Sequence, residues 1–249
     1  MKKILTFVIM AGLVALLLYV VAGMPRMGDP ENPTNSNVIP RYLEGSEEEA
    51  GAENVVTGII INYRGYDTMG EVTVIFTALA AVLAVLGREK RGRIYAYFDH
   101  SEVRSSVIVR TFVTFLIPFI IMFSVYTILH GELSPGGGFQ GGAIFGASMI
   151  IFTTIFGLWE ASRRIPQGIR LPLEGAAVLT FFLVGVLGII GGEAFLTFLL
   201  PYVGGSVQAS LRVWLIVIVE IGIGVGGAMI FTSILFAMIR EEEEVAIAA

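Results

Sequence analysis

Gly131-Glu132-Leu133-Ser134-Pro135-Gly136-Gly137-Gly138-Phe139-Gln140-Gly141-Gly142 lies between two long apolar stretches of the 249-residue chain. In a soluble protein such a run suggests a phosphate-binding loop. A P-loop needs Gly-Lys-Ser/Thr after the glycines and a strand before them. Here Phe139-Gln140 follows and both flanks read as membrane helices, so phosphate binding is rejected. Pro135 ends one helix and a glycine permits a tight turn. A turn needs one or two glycines, yet residues 136–142 hold five. The surplus points to backbone brought close to neighbouring helices or to an ion path. Irregular backbone at membrane depth is tolerated only where protein or a cavity lines it.

The composition sets the class. Apolar residues are 55% of the chain and mean hydropathy is +0.80, which reads as an all-α, polytopic membrane protein. With no cysteine, disulfides, iron–sulfur ligation and thiol nucleophiles are excluded. The two histidines, His100 and His130, are too few for a His-based metal or haem site. No cofactor or metal is expected. Nothing in the charge pattern points to nucleic acid.

A bilayer core of ~30 Å needs roughly 20 apolar helical residues. Six stretches qualify, near 4–22, 68–87, 106–129, 140–159, 173–192 and 213–239. The first resembles a secretion signal, with Lys2-Lys3 ahead of it and Ala22-Gly23 behind. Its apolar run exceeds the roughly 7–15 residues of a signal core, so a retained helix is expected. Residues 24–53 hold four prolines and the run Glu47-Glu48-Glu49, and read as a loop rather than a packed domain. Val55–Ile61 is too short to span; it could lie at the interface or pair as a short strand. Residues 193–211 are Pro-interrupted and read as an interfacial half-helix. Glu241–Glu244 read as a solvated acidic tail.

Orientation follows the positive-inside rule. With the N-terminus in the cytoplasm, the inner ends carry Lys2, Lys3, Arg88, Lys90, Arg91, Arg93, Arg104, Arg110, Arg163, Arg164, Arg170 and Arg240. The outer side carries Arg26, Arg41, Arg64 and Arg212. Both termini are therefore expected in the cytoplasm, with the 24–66 loop and the glycine turn outside.

Ionisable residues at membrane depth are functional candidates. Glu220 lies eight residues beyond Arg212 in the sixth span, about 12 Å along a helix. Gly224 and Gly227 share its face. Its plain alternative is a structural hydrogen bond to a partner helix. Asp67 and Glu71 stand one turn apart at the start of the second span, after Arg64. An acidic helix start is ordinary dipole chemistry, but Glu71 lies deeper than a cap requires. His130 and Glu132 flank the glycine turn at a span end and complete the ion-path candidates. Glu174, Glu160 and Glu193 also sit at span ends, where carboxylates are cheap. Gly222-Ile223-Gly224-Val225-Gly226-Gly227 spells a dinucleotide fingerprint inside a span with no strand before it, so it reads as close helix packing. The only lysines are Lys2, Lys3 and Lys90; none lies in a span.

Residues 106–142, ending His130-Gly-Glu-Leu-Ser-Pro-Gly-Gly-Gly-Phe-Gln-Gly-Gly142, resemble the B component of Mrp-type multisubunit sodium/proton antiporters, and the likeness continues to about residue 240. Asn62-Tyr63-Arg64-Gly65-Tyr66-Asp67-Thr68-Met69-Gly70-Glu71 is similar to the motif of the two-helix E component of archaeal membrane-bound hydrogenases, with Met69 where Leu is usual. The chain thus looks like a fusion: a two-helix part over 1–92, a four-helix part over 105–240, and the tail 241–249, joined near Arg88–Arg104. The resemblance implies a plasma-membrane complex that exchanges Na⁺ for H⁺ across the lipid bilayer. The other antiporter components would be partners, and so would a redox arm related to complex I, hydrogen-evolving or sulfur-reducing. It carries Asp67, Glu71 and the Pro135-Gly136-Gly137-Gly138-Phe139 core over as functional; Glu220 rests on depth alone. A buried Lys–Glu pumping mechanism is excluded for this chain by itself. The rival readings are a purely structural subunit that bridges pumping subunits and redox arm, and an independent transporter or membrane enzyme.

Overall fold

A computed structural model describes residues 2–86, 106–198 and 205–248. The joint expected at Arg88–Arg104 lies outside the described residues. The chain divides into two compact units, Met1–Glu44 and Gly45–Ala249.

The first unit holds α1, Lys2–Ala22, an apolar helix exposed along its length. Beyond it come turns, a π-helical turn Thr34–Val38, and α2, Ile39–Gly45. The second unit opens with a π-helical turn, Ser46–Ala50, closed by Gly51 in the left-handed region. A single helical turn, α3 (Val55–Thr57), runs on into a further π-helical stretch, Gly58–Tyr63. The segment that could have been a strand is therefore helical. Then follow α4 (Gly65–Leu86), α5 (Val107–Leu129), α6 (Gly138–Phe156), α7 (Leu158–Arg164), α8 (Gln167–Ile190) and α9 (Gly205–Ala248).

Six helices are long and apolar enough to cross a membrane among the described residues: α1, α4, α5, α6, α8 and the Ser210–Ile239 part of α9. The all-α, six-span expectation is met. Three boundaries move for local reasons. The fourth span stops at Phe156 because Gly157 takes φ 88°, ψ 161°, a conformation that favours glycine. The fifth span begins at Gln167, six residues earlier than expected, because Pro172 sits inside the helix instead of stopping it. Pro172 is the sixth residue of α8, so it forfeits the one backbone bond to the Gly168 carbonyl, and the helix continues through that loss. In place of a half-helix, residues 193–198 form turns; 199–204 lie outside the described residues, and 205–211 already belong to α9.

The centre of the second unit is α9. Helices α6 and α8 pack along it, α5 packs on α6, and α4 lies against α8 and α9. One core gathers Ile61, Val72, Phe181, Ile216, Val219 and Ile223, with Phe139 packed against it. A second gathers Val113, Met149, Phe152 and Phe236. Helices that share lipid tails as solvent gain little from the hydrophobic effect on association, so close contact between small residues carries the packing. At the α6/α9 crossing a Cβ on Gly142 would stand 2.9 Å from the Gly224 carbonyl oxygen. The α8/α9 seam works alike: a Cβ on Gly222 would stand 2.9 Å from Thr180 Cβ.

Candidate functional site

The glycine run turns the chain from α5 into α6 and starts α6 against the middle of α9. Ser134 N and Oγ both donate to the His130 carbonyl oxygen, at 2.9 and 3.0 Å, and Gly137 N donates to Thr127 O at 3.1 Å. Gly137 takes φ 137°, where a side chain is strained whatever the space. Gly138 then touches α9 so closely that an added Cβ would collide with Ile223 and with the backbone of Glu220 and Gly224.

Glu220, 2% exposed, meets this turn. Its Oε2 accepts from the N–H of Gly138 at the start of α6. A carboxylate there satisfies a donor that the helix itself leaves unpaired and lies at the positive end of the helix dipole. Its other oxygen, Oε1, is buried and has no hydrogen-bond partner among the described residues. A Cβ on Gly137 would stand 3.1 and 3.2 Å from the two carboxylate oxygens and 3.0 Å from Gln140 Oε1. Glycine at 137 thus leaves the room this acid occupies. Glu132 is also buried, its Oε2 likewise without a partner among the described residues, and it is near enough for its charge to act on Glu220.

The turn is held from the other half of the chain. Asn54 Nδ2 donates to Gly131 O at 2.9 Å and Ser134 O at 2.7 Å, and its backbone N–H donates to Glu132 O at 2.9 Å. Its Oδ1 caps α3 by accepting from Val56 N. Thr57 Oγ1 adds a bond to Gly131 O at 2.5 Å. Arg212, on α9, donates to Glu48 O and Glu49 O at 2.7 and 2.8 Å. Residues 46–57 therefore form a cap on the glycine turn and the start of the sixth span.

Of the sequence-derived candidates, the structure brings Glu220, Glu132, Gly137 and Gly138 together. Phe139 anchors the turn in the first core, while Pro135 is exposed. His130 stacks on Tyr126, centroids 4.2 Å apart, with Nδ1 3.1 Å from Tyr126 O, and ends α5. Asp67 and Glu71 remain exposed on α4. Asp67 pairs with Arg64 at 2.5 Å, both side chains more than half exposed. Gly224 shares the Glu220 face as expected: a Cβ there would press on Ile128 of α5, whereas one on Gly227 would meet open space.

Two features are not visible in the sequence pattern. Asn54 falls in the expected 24–66 loop; nothing local signals that it reaches residues 77 and 80 positions away. Arg170 and Glu174 read as parts of an inner loop and a span end. The early start of α8 places both inside it, buried, with Ser233 Oγ donating to Glu174 Oε1. Their i, i+4 spacing is the signal that finds them, once Pro172 is allowed inside the helix.

Comparison with known proteins finds two family models along the chain. Residues 108–233 match the family described as a domain related to the MnhB subunit of Na⁺/H⁺ antiporters. Residues 2–94 match MbhE, the E subunit of MBH. The chain is 31% identical over 120 residues to the B subunit of the Na⁺/H⁺ antiporter of Bacillus subtilis, an alignment covering 46% of this chain and 83% of that one. It is 30% identical over 156 residues to an uncharacterised protein of Methanocaldococcus jannaschii, 56% of this chain but only 58% of that relative. Among solved structures, a chain of the membrane-bound sulfane sulfur reductase, an archaeal respiratory membrane complex, superposes with a TM-score of 0.63 at 30% identity, covering 95% of this chain and 97% of that one. A chain of the Mrp complex from Dietzia sp. matches with a TM-score of 0.63 at 25% identity, over 95% of this chain and 26% of that one.

Proposed function

This chain belongs to the family of the MnhB subunit of Na⁺/H⁺ antiporters, as a membrane antiporter-module subunit joined to an MbhE-like part, and from that premise we propose that it takes part directly in monovalent cation/proton exchange, with Glu220 as the group that holds the ion. The observation that carries this is the Glu220 carboxyl: buried, one oxygen held by the Gly138 N–H, the other without a partner among the described residues, and Glu132 beside it. A group so placed can take up and release a proton, or trade it for Na⁺, without moving the backbone. Ionisable residues that face the interior of a helix bundle mark such routes.

The setting follows from the relatives. The chain works within a multi-subunit plasma-membrane complex beside other Mrp-type subunits, in the manner of the Dietzia complex. A redox arm such as that of the sulfane sulfur reductase is a further partner, and the redox chemistry lies there. Both termini face the cytoplasm. Residues 1–92 and 105–240 act as the two ancestral subunits, and Asp67 and Glu71 present a second acidic surface to neighbours or ions.

The test is Glu220→Gln in the assembled complex, reconstituted in vesicles. Gln keeps an acceptor for Gly138 but cannot take up a proton. Sodium-dependent proton exchange per complex should fall roughly a hundredfold, the scale of a lost proton-transfer group, at unchanged complex yield. A second reading has the Glu220–Gly138 bond simply pinning α6 to α9. Wild-type exchange in Glu220→Gln would select that reading and remove Glu220 from the route.

A further inference from the structure

The α8/α9 seam begins with polar groups where its own packing needs none. Arg170 and Glu174 open the buried stripe of α8 that continues through Ala177, Phe181 and Val184. Glu174 lies about 10 Å along the axis from Gln167 at 1.5 Å per residue. Arg170 stacks over the Phe236 ring, 4.5 Å from its centroid, and Ser233 Oγ donates to Glu174 Oε1. Arg170, Glu174 and Ser233 are all buried. The cluster stands at the end of the bundle away from the glycine turn, since α8 begins where α6 and α7 leave off. Along α9, Ser233 is about 20 Å from Glu220. Charged residues of α7 stay outside it: Arg164 pairs with Glu160 at 3.2 Å, and Arg163 lies over the Trp159 ring.

We propose that Glu174, with Ser233 as its relay, is a second proton-binding station of this subunit, at the opposite end of the bundle from Glu220. Apolar residues of similar size would fill the seam without stripping water from an arginine and a glutamate, and such replacements are often neutral or stabilising. A packing role leaves a buried glutamate here unexplained; a charge change of one proton on a carboxyl held in the bundle explains it. The step balances simply. Ser233 hands its hydroxyl proton to the ionised Glu174 carboxylate and takes one from a hydronium ion, which leaves as water; a hydroxyl can do this because it both donates and accepts.

The proposal rests on the reading that this chain carries ions, and the test separates the two. Glu174→Gln, Glu174→Asp and Glu220→Gln are compared in the reconstituted complex for sodium-dependent proton exchange per assembled complex. Glu174→Gln keeps an acceptor for Ser233 but no titratable proton, and should lose about tenfold or more of the exchange. Glu174→Asp should recover most of it. Wild-type exchange in Glu174→Gln, or equal losses in the Gln and Asp variants, overturns the station. Loss in Glu220→Gln alone overturns the station but not the ion route; loss in Glu174→Gln alone keeps the station and removes Glu220. Should Glu174→Gln fail to assemble, the Arg170→Gln/Glu174→Gln double variant removes both buried ionisable groups. Its assembly with exchange lost supports the station. Assembly with wild-type exchange, or failure of both variants to assemble, assigns the pair to packing and overturns it.

Discussion

Glu220 and Glu71 are both glutamates within membrane spans, yet the structure treats them in opposite ways. Glu220 is enclosed by α6 and the glycine turn, bonded to Gly138 and set beside Glu132. Glu71, on α4, is exposed, as is Asp67 one turn before it. A carboxylate at membrane depth must be satisfied by something. For Glu220 this chain supplies the surroundings itself; for Glu71 they must come from a neighbouring subunit, lipid headgroups or water. The contrast teaches that the fold encloses one acidic site and leaves the other on its surface.

The contrast is broken most forcefully at Gly138. Gly138→Val would drive a branched side chain into Ile223 and the α9 backbone. We expect a loss of about 3 kcal/mol or more from overpacking, read as failure of the subunit to appear in the purified complex. A wild-type yield would mean that α6 and α9 do not meet as described. Next in size is Asn54→Ala, which leaves Gly131 O and Ser134 O without their shared donor. The expected cost is about 1–3 kcal/mol, measured as a lower thermal midpoint of the detergent-solubilised complex; an unchanged midpoint would detach the cap from the glycine turn. Glu71→Gln sharpens the comparison from the other side. Being exposed, it should shift the thermal stability of the subunit by no more than ~0.5 kcal/mol, while lowering exchange or retention of neighbouring subunits after detergent wash. An effect on neither would leave Glu71 a bystander. Arg64→Gln, with no effect expected on exchange, breaks an exposed ion pair with Asp67 worth about 0–1 kcal/mol. A larger loss of stability would show that this pair is covered in the complex.

What can be read from the chain depends on range. Membrane spans are signalled by local composition, and the structure follows five of the six expected stretches within a few residues at each end. The exception is the start of α8, expected near 173 and found at Gln167. Pro172 removes one backbone bond of the helix, a loss too local to end it. The excess of glycines at 136–142 is legible as close approach, because a turn alone does not need them. The Asn54 clamp is not legible. It depends on residues brought together across nearly 80 positions, and an Asn before Val-Val-Thr looks like any other cap.

The sequence by itself determined the membrane-spanning, all-helical character, the family likeness and the short set of acids worth asking about, since hydropathy and motif are properties of neighbouring residues. Only the tertiary structure decided which acids are enclosed. Burial of a carboxylate depends on how each helix is rotated and on what its neighbours present. Here that was settled by glycines thin enough for α6 to reach α9 at Glu220, and by a helix that starts early enough to draw Arg170 and Glu174 inside.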